Sequence, residues 1–461
     1  MYLRKLLPLS LLVCVSSVPA ALYAQTANPT VRFHTSLGDI DVTLRLDAAP
    51  FTVANFLSYL RAGSYNNGIF HRSVPGFVIQ GGGYQIVNHA VVAITPNPPV
   101  RSEYKLSNTR GTLAMALFGS DINSGTDQWY FNLTDNSASL DPQSFTVFGT
   151  VVNNAGLAVM DQIAALPVVN NGSGTDFATL PVMNYKSGPV QESNYVLVTS
   201  IEEVTSVPNP AISDNGIALA GAYGGFAAGA PGAYLEIYGN NLSGSTRAWT
   251  TGDFSGPLAN HAPTSLDLVS VTIGGHGAYV NYISPTQVNV QVSDNFPKAG
   301  TFPVVLTYRG FTTAPYSFTI NTVQPGLLAP ASFKVGDKQY VVAVHATGAL
   351  VANNIKGVAN APAAPGETIV LYGTGWGGVV DTSAIAGEIN LKPANLESAV
   401  QFTIGSLAAQ AAYAGLAPGL VGVDQFNIVV PLNAPSGDLP FIALLNGAAI
   451  PQTLWLPVQQ K

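Results

Sequence analysis

The chain has 461 residues, enough for about three domains, and carries a formal charge of −7. Only 9% of its residues are charged, against about 25% in an average globular protein, which excludes coiled coils, charged tails and disordered acidic segments. With 47% hydrophobic residues, 46 glycines and 32 prolines, it can bury a large apolar area but is interrupted too often for long helices, and it reads as a turn-rich, mainly β protein.

Residues 1–24 combine a basic start (Arg4, Lys5), an apolar run over 6–18 and a small-residue end at Ala20, Ala21 and Ala24. This is the pattern of a secretory signal cleaved after Ala24. The run is broken by Pro8, Ser10, Ser16, Ser17 and Pro19, whereas a membrane anchor needs about 20 consecutive apolar residues. Cutting there removes Arg4 and Lys5 and no acidic residue, so the charge becomes −9; duplex nucleic acid is a poor partner for such a chain. The single cysteine, Cys14, also leaves, so stability is expected from packing alone. No later segment is long and apolar enough to span a bilayer. The expectation is an exported protein, periplasmic or extracellular, with no membrane span after signal removal.

From 31 to 46, Val31 and Phe33, then Ile40, Val42, Leu44 and Leu46, alternate on either side of Leu37-Gly38-Asp39, which predicts a hairpin with one buried face. Val53, Phe56, Leu57 and Leu60 follow at i, i+3, i+4 and i+7 between Pro50 and Gly63, an amphipathic helix. A second helix is predicted over 157–166, between Gly156 and Pro167. Strand-like runs at 77–80, 129–133, 145–151 and 195–201 suggest a sheet wrapping on itself, with the first domain, 30–204, ending near Val204.

Residues 205–213 contain Pro208 and Pro210 without periodicity and read as a linker. Beyond them the sequence repeats. Ala230-Pro231-Gly232 with Tyr238-Gly239 recurs as Ala364-Pro365-Gly366 with Tyr372-Gly373, an offset of 134. Val271-Thr272-Ile273-Gly274 recurs as Phe402-Thr403-Ile404-Gly405, and Gln287-Val288-Asn289-Val290 as Gln425-Phe426-Asn427-Ile428. Two copies of one module are expected, at 214–330 and 331–461. In 287–292, Val288, Val290 and Val292 face one way and Gln287, Asn289 and Gln291 the other. Short alternating strands with turns between them argue for antiparallel sandwiches.

The densest chemical signal is Phe70-His71-Arg72-Ser73-Val74-Pro75-Gly76-Phe77-Val78-Ile79-Gln80-Gly81-Gly82. If 77–80 is a strand, alternation separates Phe77 from Gln80 unless a bend brings both to one rim, and spacing alone leaves this open. The stretch resembles the FHRxxPGFxxQGG segment of the cyclophilin family of peptidyl-prolyl isomerases. Asn108-Thr109-Arg110-Gly111-Thr112-Leu113-Ala114-Met115-Ala116, Gln128-Trp129-Tyr130-Phe131-Asn132 and Phe145-Thr146-Val147-Phe148-Gly149 follow in the family's order. The resemblance implies a closed eight-stranded antiparallel barrel with two helices over residues 30–204 and an active groove on its outer face. By position it makes Arg72 the catalytic cation and Gln80 a substrate-orienting amide. Phe77, Val78, Tyr130 and Leu140 would line a proline pocket, while Gln128, Phe145 and the backbone around Ala116 would hold the rest of a peptide. The chain departs from the family at Ser139, where a large aromatic is frequent, at Phe145, where histidine or tyrosine is usual, and at Leu117 and Phe118.

These residue types suit the reaction. The X-Pro bond resists rotation because the nitrogen lone pair is shared with the carbonyl, giving a barrier of about 18–20 kcal/mol. A guanidinium aimed at that nitrogen withdraws the lone pair, a charged hydrogen bond worth about 1.5–3 kcal/mol. Shortening tens of seconds to milliseconds takes about 10⁴-fold, or roughly 5.5 kcal/mol. The remainder must come from a pocket that binds the twisted form best. No nucleophile, metal or cofactor is required, and the partners are proline-containing polypeptides. Asp121-Ile122-Asn123-Ser124-Gly125-Thr126-Asp127 is a poor calcium loop, with Asn132 at the twelfth position. Gly373-Thr374-Gly375-Trp376-Gly377-Gly378 fits GxGxxG but leads into no clear helix and reads as a turn.

The two C-terminal copies resemble the Ig-like, IPT/TIG-like repeats of exported bacterial proteins, which implies sandwich folds and allows a cell-surface polymer as partner. Two readings follow: an exported isomerase with accessory modules, or an adhesion or scaffold protein whose barrel binds proline segments without turnover. Arg72 favours the first, since pocket binding alone does not call for a guanidinium.

Overall fold

The computed structural model describes residues 28–460, apart from 173–175, 206–207, 223, 225, 295, 297–298, 354–358 and 382–384. The expected export signal, 1–24, lies outside the described residues. The chain forms two compact units that divide between Pro208 and Asn209.

The first unit is built on a curled, antiparallel sheet. The expected hairpin is β1 (Thr30–Thr35) and β2 (Gly38–Leu44), paired with Thr35 opposite Gly38. Helix α1 (Pro50–Arg61) has no capping side chain at Ala49. Its first turn is satisfied instead from a distant loop, where the Glu103 carboxylate accepts the N–H groups of Phe51 and Thr52 at 3.2 and 2.8 Å. Then come β3 (Gly68–Ile69), β4 (Arg72–Val74), β5 (Val78–Gly81), β6 (Tyr84–Val87), β7 (Ala90–Ala93), β8 (Thr112–Met115), β9 (Trp129–Asn132), the short α2 (Ser137–Leu140) and β10 (Val147–Val151). Helix α3 (Asn154–Ala164) starts ahead of the expected 157 because Asn153 caps it, its side chain accepting the Gly156 N–H. Two short strands, β11 (Val168–Val169) and β12 (Leu180–Pro181), pair apart from the main sheet, and β13 (Leu197–Glu203) closes the unit.

The strand order is β4-β5-β9-β8-β10-β2-β1-β13-β3-β6-β7. The family resemblance implies eight closed strands; here eleven short strands share the sheet, and its two end strands are not paired with each other among the described residues. Instead β3 and β4 lie on one segment that changes partner at Phe70 and His71. Phe70 N–H donates to Val196 and His71 N–H to Gln80. Period-two alternation sorts the side chains. Ile79, Leu113, Met115, Trp129, Phe131 and Phe148 enter the main core with Phe33 and Phe56. Trp129 and Phe131 meet Phe33 edge-on at 5.1 and 5.4 Å.

In the second unit the repeat seen in the sequence is a repeat of strand pairing. Tyr234–Asn240 pairs with Gln287–Gln291 so that Tyr238 opposes Gln287, and Thr368–Thr374 pairs with Asp424–Val429 so that Tyr372 opposes Gln425. Each copy surrounds its own apolar core. The polar side of 287–291 is buried as well as the apolar side. Amides satisfy one another there: Gln287 Nε2 donates to Asn289 Oδ1 at 2.8 Å, and Gln425 Nε2 to Asn427 Oδ1 at the same distance. The strand that opens the unit, Ala211–Leu219, takes in the last three residues of the expected linker. Among the described residues no helix follows the 373–378 glycines: residues 373 and 374 end the strand Thr368–Thr374, and 375–378 are irregular rather than the expected turn. No described helix is long and apolar enough to cross a membrane.

Candidate active site

The site is a row of side chains drawn across five strands. Arg72 on β4 opposes Gln80 on β5, Gln80 opposes Tyr130 on β9, Tyr130 opposes Ala114 on β8, and Ala114 opposes Val147 on β10. Directly paired residues share a face of the sheet, so these five stand together on the side away from the main core. Val78, Ala114, Tyr130, Leu140 and Val147 are buried in a second apolar cluster, with Phe77, Leu106, Ala116 and Phe145 packed against it. The Tyr130 and Phe145 rings meet edge-on at 5.8 Å. All nine residues singled out from the sequence therefore converge.

The spacing problem at Phe77 is resolved by a turn. Phe77 precedes β5, its N–H donating to Val74 at 2.9 Å across Gly76, whose φ of +73° suits glycine. Val78 and Gln80, two apart, share the outer face, and Phe77 reaches the same cluster from the bend. At the polar end, Arg72 Nη1 donates to Gln80 Oε1 at 3.3 Å, and Gln80 Nε2 donates to Gln128 Oε1 at 2.8 Å. Gln128 thus braces the Gln80 amide, whose oxygen holds one edge of the guanidinium. Among the described residues no carboxylate lies within salt-bridge distance of Arg72, so the surface ion pair that a lone arginine suggests is not its role. Burial lowers its pKa from the ordinary value without a compensating anion. Ala116 gives its N–H to the Gln128 carbonyl at 3.0 Å, which holds its backbone beside Gln128.

Beneath the apolar cluster lies a buried amide network that sequence reasoning missed. Tyr130 Oη donates to Asn108 Oδ1 at 2.9 Å, and Asn132 Nδ2 donates to the same oxygen at 3.2 Å. Asn108 Nδ2 donates to Asp141 Oδ1 and to the Phe145 carbonyl. Asn136 Nδ2 reaches the Phe77 carbonyl at 2.8 Å. The network ties together the backbones that carry Phe77, Leu140 and Phe145. Its one signal in the sequence is Tyr130 itself, since a buried phenol needs an acceptor. Burial holds that phenol protonated. His71, adjacent to Arg72, is also buried; its ring lies 5.2 Å from that of Tyr84, and burial pushes its pKa down to about 4. It contributes no charge beside the guanidinium at neutral pH.

An apolar cluster with a guanidinium at its edge is an arrangement that can receive an apolar ring beside an electron-withdrawing cation. Comparison with known proteins agrees. Residues 30–183 match the cyclophilin-type peptidyl-prolyl cis-trans isomerase/CLD family, and residues 224–320 match the IPT/TIG domain family. A peptidyl-prolyl cis-trans isomerase of Acinetobacter baylyi is 39% identical over 163 residues, which cover 34% of this chain and 82% of that protein. Peptidyl-prolyl cis-trans isomerase B of Escherichia coli is 40% identical over 154 residues, covering 32% of this chain and 90% of its own length. A Cryptosporidium parvum cyclophilin-type isomerase structure aligns over 39% of this chain and 99% of its own at 22% identity, with a TM-score of 0.28. The chain belongs to the cyclophilin-type peptidyl-prolyl cis-trans isomerase family, with an IPT/TIG domain following the isomerase domain.

Proposed function

We propose that this protein is an exported isomerase that speeds X-Pro rotation in polypeptides folding in the periplasm or outside the cell. The observation that carries the reading is the half-buried Arg72, free of any carboxylate among the described residues and braced by Gln80 and Gln128 at the edge of the Phe77, Val78, Tyr130 and Leu140 cluster. In this reading the proline ring enters the cluster, Phe145 closes one side of it, and the Ala116 carbonyl and Gln128 side chain hold the flanking peptide. An Arg72 N–H then approaches the imide nitrogen as the bond twists and its lone pair is released. Water is excluded by the apolar walls, which strengthens that hydrogen bond in the twisted state more than in either planar isomer.

The curled sheet acts as the closed barrel of the family, and the C-terminal copies serve as two Ig-like sandwiches that hold the isomerase near a cell-surface polymer. A protease-coupled proline-isomer assay on the full chain tests the catalytic part. Losing a charged hydrogen bond worth about 1.5–3 kcal/mol should slow Arg72→Ala by roughly 10- to 150-fold. Equal rates in variant and wild type would leave a proline-binding scaffold as the better reading. Cell fractionation tests the compartment, with cytoplasmic retention as the contrary result.

A further inference from the structure

The second unit holds a cavity of about 320 Å³ where the two repeats meet. Its walls are fixed by packed contacts. Tyr234 Oη donates to the Val421 carbonyl at 2.8 Å, and its N–H donates to Thr374 Oγ1 at 2.9 Å. Gln291, fully buried on the wall, donates to the Gly232 carbonyl at 3.0 Å and accepts the Gly387 N–H at 2.9 Å. Cavities between modules are common ligand sites, and this volume sits at the small end of the usual range of about 300–1,000 Å³.

Among the described residues two carboxyl groups line it, Asp294 from the first repeat and Asp424 from the second, together with the irregular glycine segment 375–378, and no lysine, arginine or histidine does. Asp424 is 3% exposed. Its Oδ2 accepts the Trp376 N–H at 3.3 Å, and no partner for Oδ1 is found among the described residues. Asp294 Oδ2 accepts the Ala386 N–H at 2.9 Å. The carboxyl is not a requirement of the shared fold, because pairing Gln425 with Gln287 places Thr286 at the corresponding position of the first repeat. A buried carboxylate without a counter-charge is unfavourable unless something brings the charge. Among the described residues no group of three or more metal-ligating side chains exists, and the cavity is larger than a bare ion needs.

We propose that this cavity binds a small organic cation through a primary ammonium group, received by Asp424 Oδ1 with Asp294 completing the negative lining. An amino sugar and a lysyl side chain both carry that group, so two probes separate the sources. Calorimetric titration of the full chain with glucosamine and with Nα-acetyl-lysine methylamide should give saturable binding for at least one of them. N-acetylglucosamine, which lacks the charge, should give none. Asp424→Asn should weaken the ammonium probe about tenfold or more while leaving proline isomerisation unchanged.

Burial raises the Asp424 pKa to about 8, so wild-type affinity should climb about tenfold or more from pH 6 to pH 8 as the carboxyl ionises. Among the described residues the other titratable groups around it include Asp294, from the facing repeat, Tyr413, whose phenol stays protonated through that window, and Glu397, whose carboxylate lies against Gly378. This pH profile needs no variant and stands even if Asp424→Asn fails to fold. The proposal is overturned by absence of saturable binding for both amines, by equal binding of N-acetylglucosamine, by pH-independent affinity, or by calcium binding in place of the amines.

Discussion

The Tyr130–Asn108 hydrogen bond offers a test of how the pocket is held in shape. Tyr130→Phe removes one neutral bond but strands nothing, because Asn108 Oδ1 still receives Asn132 Nδ2 at 3.2 Å. The expected cost is about 1 kcal/mol. Asn108→Ala is worse. Asn132 Nδ2 retains Thr112 Oγ1 at 2.9 Å, and Asp141 Oδ1 retains the main-chain N–H of residue 108 at 2.9 Å. The Tyr130 hydroxyl and the Phe145 carbonyl, however, lose their Asn108 bonds within a buried site. An orphaned hydroxyl costs about 1–3 kcal/mol, and the lost side-chain volume adds to it, so about 3 kcal/mol or more is expected.

Adding Tyr130→Phe to Asn108→Ala removes the orphan, so the double variant should be more stable than Asn108→Ala alone, with a coupling of about 1–2 kcal/mol. The readout is the urea concentration at which catalysis of proline-peptide exchange, followed by NMR without a protease, is half lost. That signal reports the isomerase unit and is blind to unfolding of the repeats. With a urea slope of about 1–3 kcal/mol per molar, the double variant's midpoint should recover by roughly 0.5–1 M. Additive losses, or a Tyr130→Phe cost equal to that of Asn108→Ala, would refute the view that the amide network orients the pocket.

Two further outcomes are expected. His71 is neutral in the fold, with a pKa near 4 against about 6.5 unfolded. The unfolded chain therefore binds the extra proton between those values, and stability present above pH 6.5 is lost as pH falls towards 4, by about 3 kcal/mol from this group. Comparing wild type with His71→Phe by the same urea midpoint across that window checks it, and parallel acid profiles would contradict it. Gly82 has φ +78°, and a Cβ there would run into the Asp127 carbonyl oxygen. Gly82→Ala should cost about 1–3 kcal/mol and, by shifting Gln128, lower kcat/KM more than a surface Gly188→Ala control; equal behaviour of the two variants would count against the steric argument.

The IPT/TIG match covers residues 224–320, within the first repeat, and both copies use one register, Tyr238 opposite Gln287 and Tyr372 opposite Gln425. The side chains have diverged where the pairing has not: Asp424 stands where the first copy has Thr286, and Trp376, packed on Phe402 and Phe426 in its own copy's core, where the first copy has Leu242. Ladder hydrogen bonds constrain the strands of both copies alike and leave the side chains free to differ.

Local chemistry carried much of this architecture in the sequence. Alternation at 31–46 gave the hairpin, the i, i+3, i+4, i+7 pattern gave α1, and the offset of 134 exposed the duplication, because each depends on residues a few positions apart or on simple recurrence. The nine residues that meet came instead from the family resemblance, carried by the motif around Arg72 together with those at 108–116, 128–132 and 145–149. The tertiary structure decided what depends on strand pairing over long separations. It set the row from Arg72 through Gln80 and Tyr130 to Val147, the amides of Asn108 and Asn136 beneath it, and the burial of both faces of 287–291. Gln80 and Tyr130, 50 apart in the chain, become neighbours, and Arg72 and Val147 members of one row, only when the register of five strands is fixed. That register is set by the burial of the whole inner face, a collective quantity that no short window of sequence contains.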